Sequence, residues 1–433
     1  MKRILLGTLG CALLTAGVLL GVVGAAAAFL GVAFIVSSTA VICTAAVLVC
    51  FAIVFGMSWF GARWIGQRYR RRIAVGVGAS VTVLLVLVAE LTLFNPFSSQ
   101  SESAVRPVPS HVRFFDLSTG SRIAYLRLAA NPRIHDETVI FVHGGPGAGI
   151  VGNEAVTTAL APLADEGYDV FLYDQIGGGL SSRLEIIEDY TVSRHVADLE
   201  AIRKQVGDSE VILIGKSWGA QLITRYVAEY HENVARCVIV SPGPLYPREW
   251  KGGRAGSARD RLPKKKRDAF HRLLTPRIVA AMLLARINPQ AAARFLPESE
   301  ADAFGAAAFS SLIDGTVCDP ARVPDDFRGE LNLWASQMTG RDLKRLDVDL
   351  SEKVASAGIP TLILRGDCDY AKWEVTYQYK ELFPDSKLLL VKDAGHMLFL
   401  EQPEIFTAAV RAFLLEEPLP FPVYTESRPP RDD

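Results

Sequence analysis

From Ile4 to Ala62 no residue is charged, a run that the core of a water-soluble domain does not accommodate. At roughly 20 residues per membrane crossing, the stretch is too long for one helix and fits two. The polar break Ser37-Ser38-Thr39 is the expected hairpin, with Gly21–Gly24 as the alternative. Arg63, Arg68, Arg70, Arg71 and Arg72 follow, and then a third apolar span, Ile73–Phe94. Lys2, Arg3 and the arginine loop are two spans apart, so the positive-inside rule puts both in the cytoplasm and exports everything after Phe94. A signal peptide cleaved near Ala25–Ala28 would leave the later spans in the same orientation. The expectation is a multi-pass protein of the plasma membrane with its body outside. Glu90 reads as a span-end residue, since an ion pathway would need further ionisable partners inside the membrane.

The 46 basic and 47 acidic side chains give a net charge of -1. This near-neutrality conceals +6 on residues 1–96 and -7 on the remainder. A nucleic-acid binder built on a basic domain is excluded, and a hydrophobic fraction of 50% excludes a disordered chain. Cys11, Cys43 and Cys50 lie in the spans, leaving Cys237, Cys318 and Cys368 in the body without a C-x-x-C spacing. A Cys318–Cys368 disulfide is conceivable, but unpaired thiols are the expected state.

A polar, proline-containing linker occupies 97–110. Short Val/Ile/Leu-rich runs then recur at 122–128, 138–142, 169–173, 211–215, 236–240, 360–364 and 387–391. Helical patterns such as Val196–Val206, Ala220–Tyr230 and Ile405–Leu415 alternate with them. Buried strands alternating with helices predict an α/β fold with a mostly parallel sheet. The interval 248–355 has no clear strand and reads as a helical cap. It separates a first core segment (111–247) from a second (356–417), and the proline-rich tail 418–433 is expected to be disordered.

The strongest local signal is Gly215-Lys216-Ser217-Trp218-Gly219, which follows the apolar run at 211 and opens a helix. Glycines flanking the serine permit a sharp strand-to-helix turn that exposes the hydroxyl at a helix N-terminus. A serine nucleophile needs a base, and the base needs an orienting carboxylate. One downstream run ends in Gly366-Asp367-Cys368-Asp369 and another in Gly395-His396, giving the order Ser…Asp…His. Upstream, His143-Gly144-Gly145-Pro146-Gly147 also follows a strand, and its turn can aim an amide at the serine while Trp218 supplies a second. A phosphate loop is excluded there, because no Gly-Lys-Ser/Thr closes that turn. His143 reads as a loop brace.

Together with Asp174-Gln175-Ile176-Gly177-Gly178-Gly179-Leu180-Ser181, these motifs resemble the proline iminopeptidase family of α/β-hydrolases over about 111–417, most of the cap excepted. The resemblance implies an α/β-hydrolase fold and an aminopeptidase that removes an N-terminal residue, often proline, with no metal or cofactor. It assigns Ser217 as nucleophile, Asp369 rather than Asp367 as orienter, His396 as base, and Gly145 and Trp218 as oxyanion amides. Asp174 and Gln175 become loop braces. The chain departs from the family where Lys216 replaces a second glycine, Ile176 a frequent arginine and Asp367 a common arginine. Three membrane helices are a further departure.

An aminopeptidase must hold a substrate ammonium, so an acidic group from the cap is required. Glu298, Glu300 and Glu330 are the candidates, with Asp314 behind them. Phe309 and Trp334 read first as cap packing and second as an apolar subsite. Lys264-Lys265-Lys266-Arg267 reads as a solvated helix start. The expected partners are a peptide or a small amide or ester substrate, and membrane lipid around the N-terminal helices; nucleic acid is not expected, and the oligomeric state is open. An esterase or amidase on the same machinery, a non-catalytic tethered binding domain and a transporter remain as other readings.

Overall fold

The structure is a computed structural model that describes residues 2–97, 108–246, 255–324, 327, 329–346 and 349–429. Most of the expected linker and the end of the tail lie outside the described residues. The chain divides into two compact units, one of Met1–Ser98 with Leu274–Glu300 and the other of Ser99–Leu273 with Ala301–Asp433.

In the first unit, α1 (Lys2–Ala33), α2 (Thr39–Trp64) and α3 (Arg70–Thr92) are long and apolar enough to cross a membrane. The α1–α2 turn falls at the polar break, where Ile35 is 86% exposed. Gly21 and Gly24, the alternative hairpin, lie inside α1. A Cβ at Gly21 would sit 2.5 Å from Val54 Cγ2, so the missing side chain lets α1 and α2 approach closely.

Helices Pro276–Ile287 and Pro289–Phe295 belong to this unit. The Asn288 side chain donates to the Ala33 carbonyl at 2.9 Å. The Phe295 ring meets Phe29 and Phe94 edge-on at 6.1 and 5.8 Å. Arg277 donates to the Leu93 carbonyl at 2.8 Å and forks onto Glu300 at 2.7 and 2.8 Å, while Glu300 also accepts the Phe97 N–H at 2.9 Å. The single cap expected over 248–355 is therefore divided. Residues 274–300 find apolar and carbonyl partners at one end of the helical bundle, a preference that an alanine-rich helical pattern does not disclose.

The second unit is built on eight strands: β1 (Arg113–Asp116), β2 (Arg122–Leu128), β3 (Thr138–Val142), β4 (Val170–Tyr173), β5 (Val211–Lys216), β6 (Val234–Val240), β7 (Thr361–Gly366) and β8 (Ser386–Val391). Their order is β1-β2-β4-β3-β5-β6-β7-β8. The β1–β2 and β2–β4 pairs are antiparallel and every other pair is parallel. β3, β4, β5 and β7 are buried at every position, as expected of strands covered on both faces. The C-terminal ends of β3, β5 and β7 open into the glycine turn, the serine turn and the aspartate loop, and β8 leads to the histidine loop. All four motifs thus meet at one edge of the sheet, where ligands of open α/β sheets bind.

The tail departs from its expected disorder over its described part. Tyr424 N–H donates to the Leu388 carbonyl at 2.7 Å, and Trp373 Nε1–H to the Ser427 carbonyl at 2.8 Å. Removing residues 2–97 strips Phe295 and Arg277 of these partners. The truncated chain should gain protease-sensitive sites between 274 and 300 that the full chain lacks, as limited proteolysis with mass spectrometry will show; equal protection would mean that the segment holds itself.

Candidate active site

Ser217 stands between β5 and the helix Trp218–Tyr230 with φ 55° and ψ −115°, a region that side chains rarely adopt. The glycines serve as spacers rather than as the strained residue. A Cβ at Gly215 would come 2.7 Å from the Gly219 carbonyl oxygen, and a Cβ at Gly219 would collide with the Val142 carbonyl. The turn is held by Ser217 N–H donating to the Val240 carbonyl at 3.0 Å and by Gly243 N–H donating to the Ser217 carbonyl at 3.1 Å.

His396 Nε2 lies 2.9 Å from Ser217 Oγ, and its Nδ1 lies 3.0 and 3.2 Å from the two Asp369 oxygens. The structure thus brings Ser217, His396 and Asp369 into one hydrogen-bonded line. With the carboxylate on Nδ1–H, Nε2 faces the serine with its lone pair. Burial alone would raise the Asp369 carboxyl, but His396, Arg365 and the Ala371 N–H outweigh it and hold the group at about 2. Burial pushes the His396 imidazolium below its ordinary value, with Asp369 opposing and Lys216 adding to the fall.

Asp367 lies outside the line. Its oxygens accept the Asp393 and Ala394 N–H groups, each at 3.3 Å, so it fastens the histidine loop to the aspartate loop. Buried Glu401 ties the histidine loop to the 318–319 segment: it accepts from Gly395 N–H at 2.6 Å, Cys318 N–H at 2.7 Å and Asp319 N–H at 3.1 Å. Cys318 and Cys368 form a disulfide, in place of the expected free thiols. The pair is separated by fifty residues in sequence, so its spacing gave no reason to prefer the disulfide over free thiols.

Upstream, a Cβ at Gly144 would sit 2.8 Å from Ser217 Cβ, so only glycine allows this turn to approach the nucleophile. Among the described residues, neither the Gly145 nor the Trp218 amide donates to a protein acceptor. The turn is braced as its sequence suggests. His143 Nδ1 lies 2.8 Å from the Gly144 carbonyl, while Nε2 accepts the Gln175 N–H at 3.0 Å. The Gln175 side chain donates to the His143 carbonyl and accepts the Trp218 indole N–H, each at 2.8 Å. Asp174 accepts the Ile150, Val151 and Leu180 N–H groups at 2.6, 2.9 and 2.8 Å.

A cavity of about 550 Å³ opens over Ser217 and His396. Glu330 lines it, and its carboxylate presses against Gly149. The other cap candidates are placed elsewhere. Glu300 is spent on Arg277 and the Phe97 N–H, Asp314 is paired with Lys266, and neither they nor Glu298 line the cavity. Phe309 also lines it, whereas Trp334 is fully buried.

Tyr370 was not singled out by its sequence. Its hydroxyl lies 3.4 Å from His396 Nε2, and it lines the cavity one residue after Asp369. That position, directly after the orienting acid, was the one signal available. Lys216 also lines the cavity.

His396 must be neutral to accept a proton, and burial lowers its pKa. The acid limb of kcat/KM should therefore fall below the ordinary histidine value of about 6.5. Restoring solvent and removing the ring contact with Tyr370→Ala should move that limb upward, a shift read from pH–rate profiles; an unmoved limb would show that burial by Tyr370 does not set it.

A family model described as the alpha/beta hydrolase fold matches residues 137–403. Proline iminopeptidases of Saccharolobus solfataricus and Lactobacillus helveticus are 24% and 26% identical over 295 and 303 residues; the alignments cover 64% and 67% of this chain and 85% and 93% of those proteins. Among solved structures, a proline iminopeptidase of Mycobacterium smegmatis matches with TM-score 0.46 at 23% identity. An alpha/beta fold family hydrolase of Bacillus anthracis matches with TM-score 0.50 at 14% identity. Each of these two matches covers 70% of this chain and 98% of the other. With the family model matched over more than half of its length, and with serine, histidine and aspartate on the strand ends that this fold assigns to them, the chain belongs to the alpha/beta hydrolase fold family.

Proposed function

We propose that this protein is a membrane-anchored serine aminopeptidase that releases an N-terminal residue, proline preferentially, from a peptide. The observation that carries this reading is that one cavity is lined by Ser217 and His396, the latter backed by Asp369, and by half-buried Glu330. Ser217 Oγ attacks the scissile carbonyl as its proton passes to His396 Nε2. Asp369 fixes the tautomer and stabilises the imidazolium. The Gly145 and Trp218 amides receive the developing oxyanion, a type of contact whose loss typically costs on the order of 10²–10³ in rate. His396 then protonates the leaving amine, and the acyl-enzyme is hydrolysed by water activated at the same nitrogen. Glu330 takes the substrate ammonium. The resemblance to proline iminopeptidases supports the preference for proline.

The anchor is read as the three apolar helices, with the body outside the plasma membrane. Three features support that topology. The arginine loop between α2 and α3 favours the cytoplasm. Residues 274–300 dock at the opposite end of the bundle, through Ala33 and Leu93. A disulfide joining Cys318 to Cys368 persists in an oxidising compartment.

The full chain in detergent should cleave prolyl and alanyl arylamides with a free amine and leave their N-acetyl forms uncut, with Ser217→Ala inactive. Glu330→Gln should raise KM for the free-amine substrates by about tenfold or more, the worth of a charge-assisted hydrogen bond. Equal cleavage of blocked amides or simple esters would replace the aminopeptidase reading with an esterase or amidase.

Asp116, at the exposed end of β1, offers a site for testing topology. A cysteine introduced there should react with an impermeant maleimide on intact cells. Labelling only after permeabilisation would place the body in the cytoplasm.

A further inference from the structure

Lys216 ends β5 immediately before the nucleophile. It is 8% exposed and lines the cavity, with its stem against Gly144. Its Nζ meets the Met397 sulfur at 3.4 Å and stands 6.0 Å from the centre of the Phe399 ring. Among the described residues, no carboxylate or other oxygen pairs with it. A sulfur and the face of an aromatic ring are weak partners for an ammonium. A buried cation without an anion is costly to fold, so its placement in the reaction cavity points to a ligand that supplies the anion.

Geometry limits where that anion sits. Nζ touches Met397, the residue after His396, and His396 is the group that protonates the leaving amine, so an anion at Nζ is argued to belong to the leaving group. A leaving group of a single amino acid carries its carboxylate within one residue of the bond being cut, a reach of about 3.3–3.6 Å. Glu330 supplies the opposite charge in the same cavity. We infer that Lys216 forms an anion subsite for the C-terminal carboxylate of a dipeptide, whose N-terminal ammonium is held by Glu330. This rests on the aminopeptidase reading and narrows its substrate to zwitterionic dipeptides.

The charged and titratable groups around Lys216 are consistent with that role. Asp369 attracts it but is engaged by His396 and the Ala371 N–H, while His396 and His143 are the other neighbours that sense its charge. Burial holds Lys216 at about 8 despite Asp369. The ammonium is therefore present at neutral pH and lost above that value.

The test compares substrates that differ in one carboxylate, using the full chain in detergent. At pH 7 the wild type should prefer prolyl-alanine to prolyl-alaninamide by about tenfold or more in kcat/KM, with the preference fading above pH 8. Lys216→Met should reduce that acid-to-amide ratio at least tenfold, and Lys216→Arg should restore part of it. A wild-type ratio of one or less overturns the subsite, whether or not the variants fold.

A preference confined to prolyl-aspartamide over prolyl-asparaginamide would show a side-chain carboxylate and overturn the C-terminal assignment. Monomethyl and dimethyl succinate separate the two levels of the argument. If no free-amine peptide is cut but the monoester is preferred, the aminopeptidase reading and the dipeptide fail while the anion subsite stands. If no member of the three pairs is turned over, both fail.

Discussion

The strained conformation of Ser217 is the constraint on which the rest of the second unit depends. A residue held in such a region costs of order 1–3 kcal/mol, and it persists only where its surroundings over-determine it. Here β3 and β6 flank β5, and the backbone bonds to Val240 and from Gly243 fix both sides of the turn. The spacer glycines matter for the same reason. Each sits where a side chain would push the helix from the strand or the 144–147 turn from the serine. The close approach of Gly144 to Ser217 also brings the 144–147 turn against the serine, so the strained turn and the glycine turn are held by one piece of packing.

Around this rigid centre the charges divide by how well each is satisfied. Asp369 is deeply buried yet stays ionised because a ring, a guanidinium and an amide all favour its charged form. His396 responds most to burial and stays neutral, the state a base needs. Lys216 differs from both, because its neighbours give it little in return for lost water. Its charge is also one reason why the histidine is weakly basic. A carboxylate on Lys216 would cancel that influence and raise the basicity of His396 as substrate arrives. Substrate charge and general-base strength are then linked through one side chain, with no movement of the backbone.

The sheet was legible because its strands leave short apolar runs, continuous where a parallel strand is covered on both faces, and seven of the eight were visible as such runs. β1 did not, because Arg113–Asp116 is a short edge strand with a single fully buried residue. The serine, the histidine and the glycine turn were readable from local motifs, since a turn of this kind demands particular residues at fixed offsets. Choosing Asp369 over Asp367 needed the resemblance, as both carboxylates end the same strand. The cap acids were not readable. Whether Glu300 meets an arginine or a substrate depends on tertiary contacts between helices whose sequences carry no positional code. The Cys318–Cys368 pair was conceivable but could not be preferred over free thiols, for the same reason.

The division of the chain into units bears on what the three N-terminal helices do. The first unit is not a detachable leader, because the chain leaves it after Ser98, returns at Leu274 and leaves again after Glu300. Arg277 and Glu300 are both largely buried there, and the pair is completed by groups from the end of α3 and the segment just beyond it, the Leu93 carbonyl and the Phe97 amide. Replacing either member alone would leave the other charge buried and unpaired, which is usually more damaging than never having had the pair. The bundle end is therefore built to hold a piece of the cap. The largely buried Arg277–Glu300 pair thus has a structural purpose within the unit.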